Sequence, residues 1–204
     1  MSFLRTSSAA RLFVGLFVTA GVFTYYINSS PPLSTQMDQE ATPGPIAGIT
    51  VSIKQKSASP PTISVRVANT NTDPVTFLSY GSPLDGLVLQ LGLLSITPDG
   101  GSAPLDIPTL EVQRKWPPDL DSLITLAPKE AQQQDIVIKE GIVSPESVGA
   151  KATVQLKGKW QAVWGKAKED ISEESLNKAG IAEDAYSGDF SSNETEMVIT
   201  SWKY

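Results

Sequence analysis

Glu169, Asp170, Glu173 and Glu174 stand close enough along the chain to gather on one helix face, where grouped carboxylates could hold a hard cation such as calcium. The spacing lacks the alternating Asp/Asn loop with a central glycine, so the four read as a solvated helical face. Nearness on a helix also gives no carboxylate pair set across a cleft, which general acid/base work requires. Trp116, Trp160, Trp164 and Trp202 could form an aromatic platform for sugars, although tryptophans in a sandwich of strands more often pack its core and rim. Trp160 and Trp164 are four apart, which stacks them on a helix and also permits one face of a strand. The loop Trp116-Pro117-Pro118-Asp119 is the best candidate for exposed partner recognition, because prolines stiffen it and lower its ordering cost. Gly100-Gly101 lies in a turn without the context of a phosphate loop.

The 204 residues contain neither histidine nor cysteine. Ser-His-Asp and Cys-His catalysis, structural zinc, the H-E-x-x-H protease motif and disulfides are thereby removed. The chain is read as a non-enzyme, with no catalytic residue, metal ligand or cofactor assigned. Beyond the first thirty residues, which carry Arg5 and Arg11 and no acid, 14 basic residues face 22 acidic ones. A body of charge −8 whose longest basic run is Arg114-Lys115 is a poor partner for phosphate backbones, so nucleic acid is not expected. Nine acids and four lysines between Lys166 and Tyr204 read as a solvated acidic extension.

Short alternating runs must position these residues. Ile49-Thr50-Val51-Ser52-Ile53, Ile63-Ser64-Val65-Arg66-Val67 and Val75-Thr76-Phe77-Leu78 place apolar residues at every second position, a strand signature. The Pro60-Pro61 break and the turn Asn69-Thr70-Asn71-Thr72-Asp73-Pro74 between them predict a meander. Leu87 to Ile96, Ser122 to Pro128, Asp135 to Ile138, Ala152 to Trp160 and Glu196 to Trp202 add further strands, the first with a buried helix as its rival reading. Seven or eight strands predict an all-β, immunoglobulin-like two-sheet sandwich over 49–204. One helix is expected within Trp164 to Ala182, starting near Ser172 and stopping near Gly180.

Residues 1–27 carry a positive flank followed by the sixteen-residue apolar run Leu12 to Ile27. As a helix the run rises about 24 Å, short of the roughly 30 Å hydrocarbon core. A cleaved secretory signal is the favoured reading, and retention as a single-pass signal anchor with the body outside the cytosol is the alternative. Either way the protein is expected in the secretory route, touching membrane only through this segment if it is uncleaved. Residues 28–48, with Pro31, Pro32, Pro43 and Pro45, read as a spacer. Asn28-Ser29-Ser30 and Asn193-Glu194-Thr195 make Asn28 and Asn193 candidate glycosylation sites.

The order Ile49-Thr-Val-Ser-Ile53, Val65-Arg-Val-Ala-Asn-Thr-Asn-Thr-Asp-Pro-Val-Thr-Phe-Leu78, Leu123-Ile-Thr-Leu-Ala-Pro-Lys-Glu130 and Asp135-Ile-Val-Ile138 resembles the N-terminal pro-region of fungal deuterolysins. Those are secreted zinc metalloendopeptidases made as signal, pro-region and protease. The resemblance runs from about Ile49 to Leu156. The zinc-binding histidines of such a protease have no counterpart here, and the one dibasic pair, Arg114-Lys115, lies mid-domain. The resemblance therefore implies a free-standing relative of the pro-region, an inhibitor or folding assistant acting in trans on a deuterolysin-like protease. An extracellular carbohydrate or cell-wall binding module is the alternative.

Overall fold

The alternation of Ile and Val with polar residues produces the first hairpin, β1 (Ile49–Ala58) paired antiparallel with β2 (Pro61–Asn69). The computed structural model describes residues 44–202. The N-terminal apolar run, most of the spacer and Asn28 lie outside the described residues. Pro45–Gly48, which the sequence placed in the spacer, forms a 3-10 turn docked on the sandwich. Asn71 Nδ2 donates to Pro45 O at 2.9 Å, and Ile46 packs against the core.

The predicted meander is corrected by the pairing. β2 has β1 on one side and β6 (Ala131–Val137) on the other, so no edge remains for β3 (Val75–Leu78). The Asn69 to Asp73 turn instead carries the chain to the opposite sheet. Asn69 fixes that crossing, its buried Nδ2 donating to Asp73 O at 2.9 Å and to Leu126 O at 3.0 Å while Oδ1 accepts from Asn71 N at 2.9 Å. Leu126 closes β5 (Leu123–Leu126), so one side chain ties both crossings between the sheets. The larger sheet runs β4 (Leu94–Pro98), β7 (Lys151–Trp164), β3, β5, with β8 (Tyr186–Ser191) and β9 (Thr195–Val198) also pairing β7. The expected all-β, two-sheet immunoglobulin-like architecture is thus present, with nine strands among the described residues.

Leu87 to Gly92, expected as strand, is a run of turns. Leu91 N donates to Leu87 O at 2.8 Å, Leu93 N to Val88 O at 3.0 Å, and Gly92 has φ +71°, a conformation open to glycine. Burial of Val88 and Leu89 explains the apolar density, and strand begins only at Leu94. The residues after Trp164 supply two strands and a cover for the larger sheet, and their acidic side chains are mostly solvent-exposed. The helix is six residues, α2 (Glu173–Lys178), following the single turn α1 (Pro145–Val148). Ser172 caps α2 by accepting from Ser175 N at 3.1 Å.

β7 carries the core. Ala152, Val154, Leu156 and Trp160 face the opposite sheet, against Ile63, Val65 and Val67. Gly158 lies among them, where a Cβ would come within 2.6 Å of the Phe190 ring. A bulge between Trp160 and Val163 then reverses the alternation. Val163 stays with the main core, while Ala162 and Trp164 turn to a second cluster with Leu78, Leu123 and Ala179. Trp160 and Trp164 therefore lie on one strand but on opposite faces.

The second cluster is closed by a polar relay. Trp164 Nε1–H donates to Ser175 Oγ at 2.8 Å, Ser175 donates to Asp184, and Lys166 Nζ donates to Asp184 at 2.8 Å. Ser175→Ala orphans the buried indole N–H and is expected to lower stability by about 1–3 kcal/mol in urea denaturation. The Lys166 ammonium, then the Ser175 hydroxyl, hold the Asp184 carboxyl below its usual pKa. A depressed carboxyl contributes stability above its unfolded value of about 3.9 and loses it as pH falls through the lower folded value. Asp184→Asn should accordingly be less stable than the native chain at neutral pH, and the two unfolding curves should converge below about pH 4.

Candidate functional site

Trp116 lies in the long connection between β4 and β5. Its bond to Pro117 is cis, Pro118 is buried, and Lys115 Nζ donates to both oxygens of Asp119 at 2.6 and 2.8 Å. The Asp119 hydrogen bond raises the Lys115 pKa. Of the loop singled out from sequence, Trp116, Pro117 and Asp119 are exposed, the indole at 55%, and Pro118 is buried.

Beneath the loop lies Asp85, 4% exposed. Its carboxylate accepts Arg114 Nη2 at 2.7 and 2.9 Å, Gly81 N–H at 2.8 Å and Leu87 N–H at 2.9 Å. Arg114 so fixed lies 5.0 Å from the Tyr80 ring centroid, and the Tyr80 hydroxyl is 2.8 Å from Ser122 Oγ. Trp116, Tyr80 and Arg114 line a hollow of about 260 Å³ together with Leu78, Leu91 and Gln161. A second hollow, of about 320 Å³, opens between Trp116 and Ile181, with Gln161 and Asn177 in its wall. Ile181 is 85% exposed on the 3-10 turn Ala179–Ile181. Tyr80, Gln161 and Ile181 were not singled out from sequence, and Arg114 was noted only as half of the dibasic pair.

The remaining tryptophans pack: Trp160 and Trp164 are buried and Trp202 is half-buried against the core. Glu169 and Asp170 sit on the 3-10 turn Lys168–Asp170, apart from Glu173 and Glu174 in α2, and Glu174 pairs with Lys178 at 2.7 Å. Among the described residues no three acidic side chains converge at metal-binding distance. A hollow of about 280 Å³ is lined by Ser172, Glu174, Ser175, Lys178 and Asp184. The Ser175 hydroxyl there is engaged on both sides, by Trp164 and Asp184, and serves the packing of α2.

Asn193 closes a sheet edge. Its Oδ1 accepts from Ile53 N at 2.9 Å and its Nδ2 donates to Ile53 O at 3.1 Å and Thr195 Oγ1 at 2.8 Å, so the amide pairs with β1 as a neighbouring strand would. Gln55 reciprocates on Val198 of β9, with its Nε2 donating to the carbonyl and its Oε1 accepting the N–H at 3.0 Å. Two side-chain amides thus zip β1 to β9 across the gap between the sheets.

This architecture coincides with a family model for an immunoglobulin-like domain, which matches residues 48–199. The chain belongs to that immunoglobulin-like family. The matched span contains the whole Trp116 surface and the Asn193 clasp, and the immunoglobulin-like domain ends close to β9. An uncharacterized secreted protein of Arthroderma benhamiae is 30% identical over 162 residues, covering 75% of this chain and 80% of the relative.

Proposed function

We propose that the chain is a secreted, non-enzymatic module that binds another protein through the surface around Trp116. The observation that carries this is a half-exposed indole that shares one hollow with a tied Tyr80–Arg114 pair and a second with an exposed Ile181. Tryptophan, tyrosine and arginine supply most of the binding energy at protein interfaces, and side chains already held lose little freedom on docking. Secretion is supported by the order of charge and apolar residues at the N-terminus and by the secreted relative.

The resemblance to deuterolysin pro-regions supports a deuterolysin-like protease as partner. Binding in trans has no effective-concentration gain, so inhibition by this route is expected to be reversible and concentration-dependent. A titration of the chain against such a protease tests this directly. Absence of both inhibition and improved refolding at high micromolar chain would remove that partner. The Gln161 and Asn177 amides beside Trp116 favour a second reading, an extracellular carbohydrate or wall-binding module. Passing culture medium and wall polysaccharide over immobilised chain separates the two: a retained protein supports the first, retained polysaccharide the second.

The sequon at Asn193 supports N-glycosylation in the secretory route. A glycan on Nδ2 replaces one of its N–H groups and leaves Oδ1 free for Ile53 N. Intact mass before and after endoglycosidase is expected to fall by one glycan attributable to Asn193, and an unchanged mass would contradict the assignment.

A further inference from the structure

The sequon Asn193-Glu194-Thr195 is tied into the fold by both of its working groups. These are the Asn193 amide nitrogen, which takes the glycan, and the Thr195 hydroxyl, by which the third position of the motif is read. In the folded chain the two donate to one atom, Ile53 O, each at 3.1 Å. Asn193 Nδ2 also donates to Thr195 Oγ1 at 2.8 Å and to Glu194 O at 3.2 Å, while Oδ1 accepts from Ile53 N at 2.9 Å. The amide hydrogens thus face three acceptors, and the amide is fixed against β1.

The backbone on either side has no slack. Ser192 is buried, its N–H donates to Leu156 O at 2.8 Å, and its Oγ accepts from Leu156 N at 3.0 Å. Thr195 opens β9 opposite Val154 of β7, and Val198 farther along is held at both its N–H and its carbonyl by the Gln55 side chain. Asn193 is exposed to solvent, but it cannot swing out alone. Drawing its amide and the Thr195 hydroxyl together into an enzyme's site requires breaking their bonds to Ile53 and lifting the start of β9 from β7.

We infer that Asn193 accepts its glycan only before β9 docks, so that folding closes the site and a race between transfer and folding sets the glycosylated fraction. This rests on the reading of Asn193 as a sequon in use. In the transfer Nδ2 bonds to the anomeric carbon of a lipid-linked oligosaccharide. The lipid pyrophosphate leaves with the electron pair of the broken C–O bond, and one Nδ2 proton passes to the enzyme's base. Ile53, Val154 and Leu156, which hold the sequon, all precede it in the chain, so β9 has no later partner to wait for once the sequon enters the secretory route. An all-β sandwich folds in about milliseconds to seconds, which bounds the window for transfer.

The test offers purified oligosaccharyltransferase and a lipid-linked oligosaccharide two acceptors at equal concentration: the folded full chain made without glycan, and a peptide of residues 188–200. Mass mapping at Asn193 is expected to show transfer to the peptide and at least tenfold slower transfer to the folded chain. Gln55→Ala frees Val198 and leaves the sequon and Ile53 in place, and is expected to raise the folded chain's rate at least threefold by local opening of β9. Should that variant fold poorly, the comparison of native chain with peptide decides by itself. Equal rates for folded chain and peptide, or a rate unmoved by Gln55→Ala in a folded variant, would overturn the inference and leave Asn193 a sequon in use. No transfer to either acceptor would overturn the sequon reading, and the inference with it.

Discussion

Replacing Trp160 by alanine is expected to lower the unfolding free energy by about 3–5 kcal/mol, the range for deleting a large aromatic from a closed core. Trp160 is 1% exposed and meets Phe77 edge-on at 4.8 Å and Phe190 at 5.1 Å between ring centroids. Those rings belong to β3 and β8, which pair with β7, so the indole joins three strands of the larger sheet where it faces the smaller one. The bulge beside it fixes the backbone, and the surrounding strands cannot collapse into the space without breaking their ladders. Urea denaturation should show a lower midpoint with unchanged slope. A loss under about 1 kcal/mol would mean the site relaxes and the core is not organised around this ring.

Asp85→Ala is expected to be nearly as damaging, at about 3 kcal/mol, for an electrostatic rather than a packing reason. The substitution strands the Gly81 and Leu87 N–H groups and leaves Arg114 without its carboxylate. Arg114 is 29% exposed and recovers part of its hydration, which keeps the loss below that of a fully enclosed pair. Asp85→Asn retains one acceptor oxygen and should lose about half as much. Because Asp85 is shielded, moderate salt should change these differences little, unlike those for the exposed pair Lys115–Asp119. A neutral outcome for Asp85→Ala would contradict its role in holding the 81–87 turn.

Local pattern revealed what local physics decides. Alternation in β1, β2 and β7 was readable because one face of each meets the core, and Ser172 announced the start of α2 by its side-chain chemistry. β8 was not readable, since only Phe190 among Tyr186–Ser191 is buried and no period results. Pairing choices were also hidden: nothing in Val75–Leu78 distinguishes a neighbour of β2 from a neighbour of β7. The Ile53–Asn193 clasp joins residues 140 positions apart, so Asn193 read only as a sequon. At the candidate site, the local sequence pointed to the proline-flanked Trp116, whereas Ile181 and Tyr80 reach it only through the fold.

Trp116→Ala measures the central claim most directly, because the exposed indole supports little of the fold and, on this account, much of the binding. Wild-type and variant chains are compared by equilibrium titration against the protein retained from culture medium, after their unfolding midpoints are shown to agree. The account predicts at least a tenfold weaker Kd for the variant, about 1.4 kcal/mol or more, as for an aromatic anchor at an interface centre. Equal affinity of the two chains would contradict it and move the partner's footprint away from Trp116.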